Sequence, residues 1–196
     1  RPDDIPTKQA AAAVGQCELM YVYDKQFTEY NHTIAQLLIT KYDVENETNH
    51  VNFKNTVSRL LELGVMPIIN ENDTVATEEL VIGDNDTLAA IVAKSVNADL
   101  LILLSDIDGL YTADPHKDPN GKLIEEIEEI TPEIIALGGG KGSSLGTGGM
   151  ITKINAAKIV TENGTDMVIA NGENPNLLYD IIDGKDIGTR FLGRVK

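Results

Sequence analysis

A glycine-rich segment over residues 138–149 has the composition of an anion-binding loop. Seven of its twelve residues are glycine, and glycine lets backbone N–H groups approach a ligand closely. The segment leads into a helix predicted from Met150, whose N-terminus offers unpaired N–H groups and a partial positive charge. Lys153 lies in the first turn and adds a full positive charge. The pattern predicts a phosphate site, although a surface loop before an ordinary helix would have the same composition.

The charges around this segment favour the phosphate interpretation. The chain has 196 residues, with 16 Lys and Arg against 31 Asp and Glu, and a formal net charge of −15. Residues 134–161 nevertheless contain no acidic residue and carry three lysines, one of which is Lys153. Ala157 follows Lys153 by one turn, and Met150 and Ile154 form an apolar stripe nearby. We therefore expect Lys153 to border a packed face of the helix.

Three further polar clusters contain groups that could recognise a substrate. Asn-Glu-Asn-Asp occupies residues 70–73, and Asp-Asn-Asp occupies residues 84–86. Carboxylates bind an ammonium group and amides donate to a carboxylate, so these two clusters suit a zwitterion. Helix capping and turn formation would explain them equally well. Ser105 and Asp106 follow an apolar run, where a hydroxyl and a carboxylate could meet a nucleotide.

Short apolar runs alternate with amphipathic segments, and this alternation predicts the elements that position the polar clusters. Helices are predicted over residues 5–30 (capped by Thr7), 52–63, 85–97, 132–137, 150–163 and 175–182. Strands or extended segments are predicted over residues 33–40, 65–69, 100–104, 123–130, 167–170 and 188–191, the last at a sheet edge. The order indicates an α/β fold with a mainly parallel sheet covered on both faces. Ligands bind beyond the carboxyl ends of strands in such sheets.

The composition disfavours several classes of partner. Nucleic acids and anionic membranes require a basic surface, which a net charge of −15 does not provide. No apolar run approaches the roughly 18 residues needed to span a bilayer. The single cysteine, Cys17, cannot form an internal disulfide, which fits a reducing compartment. We expect a cytoplasmic protein that binds neither nucleic acid nor membrane.

Five motifs taken together resemble the amino-acid kinase family. They are Ile-Asn-Glu-Asn-Asp-Thr at 69–74, Gly-Asp-Asn-Asp at 83–86, Ser-Asp at 105–106, Gly-Leu-Tyr-Thr-Ala-Asp-Pro at 109–115, and Leu-Gly-Thr-Gly-Gly-Met-Ile-Thr-Lys at 145–153. The motifs occur in order along nearly the whole chain. The segment over residues 147–153 is a specific signature, and Asn-Glu-Asn-Asp separates members that act on glutamate from those that act on aspartate or acetylglutamate.

The resemblance implies an activity and its requirements. It implies ATP-dependent phosphorylation of the γ-carboxylate of L-glutamate to L-glutamyl 5-phosphate, the first step of L-proline biosynthesis. It also implies Mg²⁺, a three-layer α/β/α sandwich, a homo-oligomer and feedback inhibition by L-proline. A carboxylate substrate is already ionised at neutral pH, so no general base is required. In phosphoryl transfer the protein mainly positions the substrates and neutralises charge.

The resemblance also assigns roles by motif position. Asp73 and Asn85 are expected to bind glutamate, with Asn70 and Asp84 nearby. Lys153 is expected to be catalytic, with Asp86 holding the lysines of the site in place. The expected ATP-binding residues are Ser105, Asp106, Thr147, Gly148, Gly149, Met150, Ile151, Thr152 and Lys153. Family members usually have threonine in place of Ser105, and the hydroxyl group is kept here.

The chain also departs from the family pattern. An initial strand with Val-Lys-x-Gly and a following Ser-Gly-Ala loop are missing. We therefore expect residues 1–196 to form one amino-acid kinase domain without its N-terminal segment and without a C-terminal accessory domain. Two alternatives stay open, namely a related amino-acid kinase with another acceptor and a non-catalytic nucleotide-binding fragment.

Overall fold

A computed structural model describes residues 4–77, 81–113, 118–139 and 149–194. The chain divides into two compact units, Arg1–Asn85 and Asp86–Lys196. The predicted cap residue Thr7 and most predicted elements lie within the described residues. Within these residues no helix has the length and apolar character that crossing a membrane requires.

The first unit contains a pair of parallel strands and three helices. Its elements are α1 (Ile5–Thr28), β1 (Ile34–Ile39), α2 (Lys41–Glu45), α3 (Glu47–Glu62) and β2 (Met66–Glu71). The two strands pair in parallel from Ile34 opposite Met66 to Ile39 opposite Glu71. Phe53 and Val57 of α3 are buried, as is Ile39 at the end of β1. The parallel pairing brings the carboxyl ends of both strands to the same edge.

Two sequence predictions in the first unit need correction, and one element has no counterpart among the predictions. The cap of α1 is Asp4, whose carboxylate accepts a hydrogen bond from the backbone N–H of Thr7 at 2.9 Å. Thr7 already lies inside the helix and does not cap it. The helix predicted over residues 52–63 begins earlier, because the side chain of Asn46 caps it at Glu47. The short helix α2 was not predicted.

The second unit contains a four-stranded sheet with helices on both faces. Its elements are α4 (Asn85–Val96, which starts on the last residue of the first unit), β3 (Leu100–Ser105), β4 (Glu126–Ile127), α5 (Pro132–Leu137), α6 (Met150–Thr161), β5 (Asp166–Asn171), α7 (Leu177–Ile182) and β6 (Thr189–Phe191). The strand order is β3-β5-β6-β4. The pairs β3–β5 and β4–β6 are parallel, and β5–β6 is antiparallel.

Alternation along the strands explains why both faces of this sheet are covered. In β5, Met167 and Ile169 pack with α4 and α6, whereas Val168 and Ala170 pack with Ile181 of α7. The predicted α/β class with mainly parallel strands is confirmed. The predicted edge position of residues 188–191 is wrong, because β6 pairs with strands on both sides and its Phe191 is fully buried.

Candidate active site

The second unit contains a buried ion pair between α6 and α4. Lys153 Nζ lies 3.0 Å from Asp86 Oδ2. Only 8% of the Lys153 residue is exposed, because Ile154, Ala156 and Ala157 around it on α6 belong to the core. The predicted packed environment of Lys153 is therefore confirmed, and so is the predicted contact between Asp86 and a lysine.

Thr152 joins the same carboxylate. Its hydroxyl lies 2.7 Å from Asp86 Oδ2 and 2.7 Å from the carbonyl oxygen of Gly149. A hydroxyl carries one hydrogen, so it donates to one of these acceptors at a time. The Thr152 hydroxyl and the Lys153 ammonium therefore both lie within hydrogen-bonding distance of Asp86 Oδ2. This arrangement fixes the position of the ammonium while leaving some of its three N–H groups for an anion.

The N-terminus of α6 places backbone donors next to this ion pair. Gly149 is the extended residue before the helix, with φ −92° and ψ −174°. Met150 and Ile151 follow in the first turn, where backbone N–H groups have no acceptor within the helix. Gly138 packs against this turn, since a Cβ there would lie 2.7 Å from Ile154 Cδ1 and 3.3 Å from the Ile151 backbone. These features suit a phosphate ligand.

Part of the predicted phosphate loop lies outside the described residues. Residues 140–148, which include the predicted ATP-binding residues Thr147 and Gly148, belong to this part. The described residues of the predicted set on this helix are Gly149, Met150, Ile151, Thr152 and Lys153. They form one continuous helix start, as the sequence predicts.

Ser105 and Asp106 lie at the carboxyl end of β3, as predicted. The Ser105 hydroxyl donates to Asp106 Oδ1 at 3.1 Å. Opposite Ser105 in the sheet is Asn171, the last residue of β5. The backbone N–H of Gly172 donates to the Ser105 carbonyl oxygen at 2.8 Å and so continues the pairing by one residue. Ser105 is half-buried and Asp106 is exposed at this edge.

Sequence reasoning missed a hydrogen-bonded group at the same edge. Asn171 Nδ2 donates to Asp108 Oδ1 at 3.0 Å, and the Tyr111 hydroxyl donates to Asp108 Oδ2 at 2.9 Å. These two bonds, that from Asn171 foremost, lower the pKa of Asp108 below its ordinary value. The bond to Asp108 raises the pKa of Tyr111. The sequence offers one signal for this hydrogen-bonded group, because Asn171 directly follows the strand predicted over residues 167–170.

The first unit holds the residues predicted to recognise glutamate. Asp73 and Asn85 are exposed, which leaves their side chains accessible. Asn70 and Glu71 instead form internal contacts. Asn70 Nδ2 donates to Gln16 Oε1 at 3.1 Å, and the Glu71 carboxylate accepts hydrogen bonds from the backbone N–H groups of Ile82 and Gly83. These internal contacts connect β2 to α1 and to the segment before Asn85.

Comparison with known proteins agrees with this fold. The profile of the amino acid kinase family matches residues 2–171. The protein therefore belongs to the amino acid kinase family.

Within that family, the chain is similar to glutamate 5-kinases. The enzyme of Clostridium perfringens is 54% identical over 99% of this chain and 74% of its own length. The enzyme of Listeria monocytogenes is 51% identical over 99% of this chain and 72% of its own length.

Solved structures with lower identity share the fold. Carbamate kinase from Giardia lamblia, solved with AMP-PNP, superposes with a TM-score of 0.64 at 18% identity and covers 96% of this chain and 80% of its own. The isopentenyl phosphate kinase of T. acidophilum gives a TM-score of 0.58 at 19% identity, over 90% of this chain and 66% of its own.

Proposed function

We propose that the protein transfers the γ-phosphoryl group of ATP to the γ-carboxylate of L-glutamate and so carries out the first step of L-proline biosynthesis. The product is L-glutamyl 5-phosphate. The observation that supports this most directly is the buried Lys153 ammonium, held by Asp86 at the N-terminus of α6. The sequence identity of 54% and 51% with two glutamate 5-kinases, over 99% of the chain, supports glutamate as the phosphoryl acceptor.

ATP is the nucleotide that these residues would hold. The N–H groups at the start of α6 and the Lys153 ammonium fit phosphate oxygens in charge and donor type. Thr147 and Gly148 complete the proposed set in sequence, and Ser105 and Asp106 would contact the nucleotide at the end of β3. Among the described residues no cluster of three or more His, Cys, Asp or Glu side chains could hold a metal. Mg²⁺ would enter with the ATP phosphates, whose charge it neutralises.

The protein's own groups would act by position and charge. Lys153 would stabilise the negative charge on the phosphoryl group in transfer, and such preorganised donors are often the largest contribution to catalysis. Asp86 would keep the ammonium in place, with Thr152 on the same carboxylate oxygen. The glutamate γ-carboxylate attacks in its ionised form, so no side chain has to remove a proton.

Glutamate recognition is assigned to the first unit. The exposed carboxylate of Asp73 suits the substrate ammonium, and the amide of Asn85 suits a carboxylate. We further propose L-proline as a feedback inhibitor, a homo-oligomeric state and a cytoplasmic location. We also propose that residues 1–196 act as one amino-acid kinase domain.

An acceptor series tests the proposed reaction. ADP release from ATP and Mg²⁺ is measured with glutamate, aspartate, N-acetylglutamate or UMP, and hydroxylamine traps any acyl phosphate. Only glutamate should support both ADP release and hydroxamate formation. Turnover with another acceptor alone would assign a different kinase, and nucleotide binding without turnover would indicate a non-catalytic fragment.

A further inference from the structure

The loop after β3 is attached to the rest of the second unit at three points. At its start, Gly172 N–H donates to the Ser105 carbonyl oxygen at 2.8 Å. At its end, Leu110 N–H donates to the Thr189 hydroxyl at 2.8 Å, and that hydroxyl lies 2.6 Å from the Ile124 carbonyl oxygen. Thr189 is fully buried, so this end is fixed by the core. Between these ends, the Asn171–Asp108 hydrogen bond is the third attachment.

The orientation of the Asn171 amide is determined by its own contacts. Its Oδ1 accepts the backbone N–H of Glu173 at 3.0 Å, so its Nδ2 must be the group that faces Asp108. Asp108 Oδ1 accepts that N–H, and Asp108 Oδ2 accepts the Tyr111 hydroxyl at 2.9 Å. Both oxygens of the carboxylate are therefore engaged, and the lowered pKa of Asp108 agrees with an ionised acceptor.

We infer that Asn171 is a positioning residue for nucleotide binding, acting through Asp108 on the turn that carries Ser105 and Asp106. Asp106 is exposed and lies two residues before Asp108, so a bond that holds Asp108 also restricts the backbone at Asp106. Asn171 stands opposite Ser105 in the sheet and reaches past it to Asp108. The inference rests on the proposed function, since it assumes that Ser105 and Asp106 contact ATP.

A reciprocal exchange of the amide and the carboxylate tests this role. Asn171→Asp keeps the acceptor for Glu173 but places a carboxylate against Asp108, so the loop should be pushed away from β5. The Kd for a non-hydrolysable ATP analogue with Mg²⁺ should rise about tenfold, and KM for ATP should rise with KM for glutamate unchanged. The double variant Asn171→Asp with Asp108→Asn again pairs one amide with one carboxylate. Its Kd for the ATP analogue and its KM for ATP should return to within about twofold of the wild-type values.

Asn174→Asp is the matched control. It adds the same charge three residues away, at a side chain whose contact is with the backbone N–H of Asn176. Its nucleotide Kd should equal that of wild type. If Asn171→Asp does not fold, Asp108→Ala tests the same hydrogen bond, because it removes the exposed carboxylate. The same loss of affinity for the ATP analogue is expected.

The outcomes separate the inference from the proposed function. A wild-type protein that fails to bind the ATP analogue would overturn both. Wild-type binding with an unchanged Kd in Asn171→Asp, or no recovery in the exchanged pair, would overturn the positioning role alone. A loss of affinity accompanied by an equal effect on glutamate and a large fall in Tm would also overturn it, because it would indicate general destabilisation.

Discussion

The ammonium group of Lys153 is buried, and burial of a charge is costly unless an opposite charge compensates for it. Asp86 provides that charge at 3.0 Å, with the two side chains 10% and 16% exposed. A hydrophobic residue would fill the same space with less desolvation. We therefore interpret the Lys153–Asp86 pair as a group that presents a fixed cation to a ligand, and not as a source of stability.

Variants of this pair separate stability from function. Asp86→Asn leaves the buried ammonium without its counter-charge and should lower the free energy of unfolding by about 3 kcal/mol. Adding Lys153→Met removes the unpaired charge and should restore most of that loss, but it should not restore turnover. Urea denaturation and ADP release measure the two effects. A double variant as unstable as Asp86→Asn would contradict the assignment of the loss to an unpaired charge.

Tyr111 offers a pH-dependent test of the missed hydrogen-bonded group. Its bond to the Asp108 carboxylate raises its pKa, so the neutral phenol is favoured in the folded state. The stability that this bond contributes is present below the ordinary pKa of 10.0 and is lost as pH rises through the folded-state value. Asp108→Asn should lower the pKa of Tyr111, as followed by NMR of labelled tyrosine carbons. Tyr111→Phe assigns the signal, and an unchanged pKa would rule out the bond.

At the level of elements, β6 depends on Gly188, which allows a close approach of its backbone to β5. Gly188 has a φ of +70°, and a Cβ there would clash with the Ile169 carbonyl oxygen of β5. Gly184 has a similar φ of +80° but has nothing within 4 Å of a Cβ position. The two glycines therefore separate the cost of the backbone conformation from the cost of the clash.

Matched alanine substitutions measure that difference. Gly184→Ala should lower stability by about 1 kcal/mol, which is the cost of a positive φ for a residue with a side chain. Gly188→Ala should cost about 2 kcal/mol more, because the clash is with backbone that cannot move without breaking the β5–β6 pairing. Thermal unfolding provides the comparison. Equal effects of the two substitutions would show that β6 does not approach β5 as described.

Most elements could be predicted from periodicity, and the errors have identifiable physical causes. The apolar run of β5 is buried on both faces, and side chains of the apolar run of β3 pack against both core clusters, which makes the two strands recognisable in sequence. The edge position predicted for residues 188–191 is wrong because the pairing partners of a strand depend on tertiary structure and leave no local signal in the sequence. The Asn171–Asp108 bond was missed for the same reason, since it depends on the register of β3 with β5. The burial of Lys153 could be predicted because its apolar neighbours lie on the same helix.

On the scale of the whole molecule, the protein combines a strongly negative charge with a site for a negatively charged nucleotide. The net charge is −15, so general electrostatic attraction cannot account for nucleotide binding. Local donors have to supply the affinity, and in the sequence the start of α6 falls within the stretch 134–161 that contains no acidic residue. Nucleotide binding should therefore stabilise the folded protein, and this stabilisation should depend on the donors at the start of α6.

Thermal unfolding with nucleotide measures this stabilisation. A ligand at about 100 times its Kd adds about 2.7 kcal/mol to the stability of the folded state. For a chain of this size the Tm should rise by about 5–10 °C with an ATP analogue and Mg²⁺. The rise should be much smaller in Lys153→Ala at the same nucleotide concentration. An equal rise in both proteins would place the nucleotide elsewhere.

Equilibrium titration of a non-hydrolysable ATP analogue with Mg²⁺ into wild type, Lys153→Met and Lys158→Met tests the central claim most directly. Lys158 lies on the same helix and is exposed, so its substitution controls for a lost charge alone. Wild type and Lys158→Met should bind with the same Kd, and Lys153→Met should bind at least about tenfold more weakly. Equal binding by Lys153→Met and wild type would contradict the claim that this buried ammonium holds the phosphates of the nucleotide.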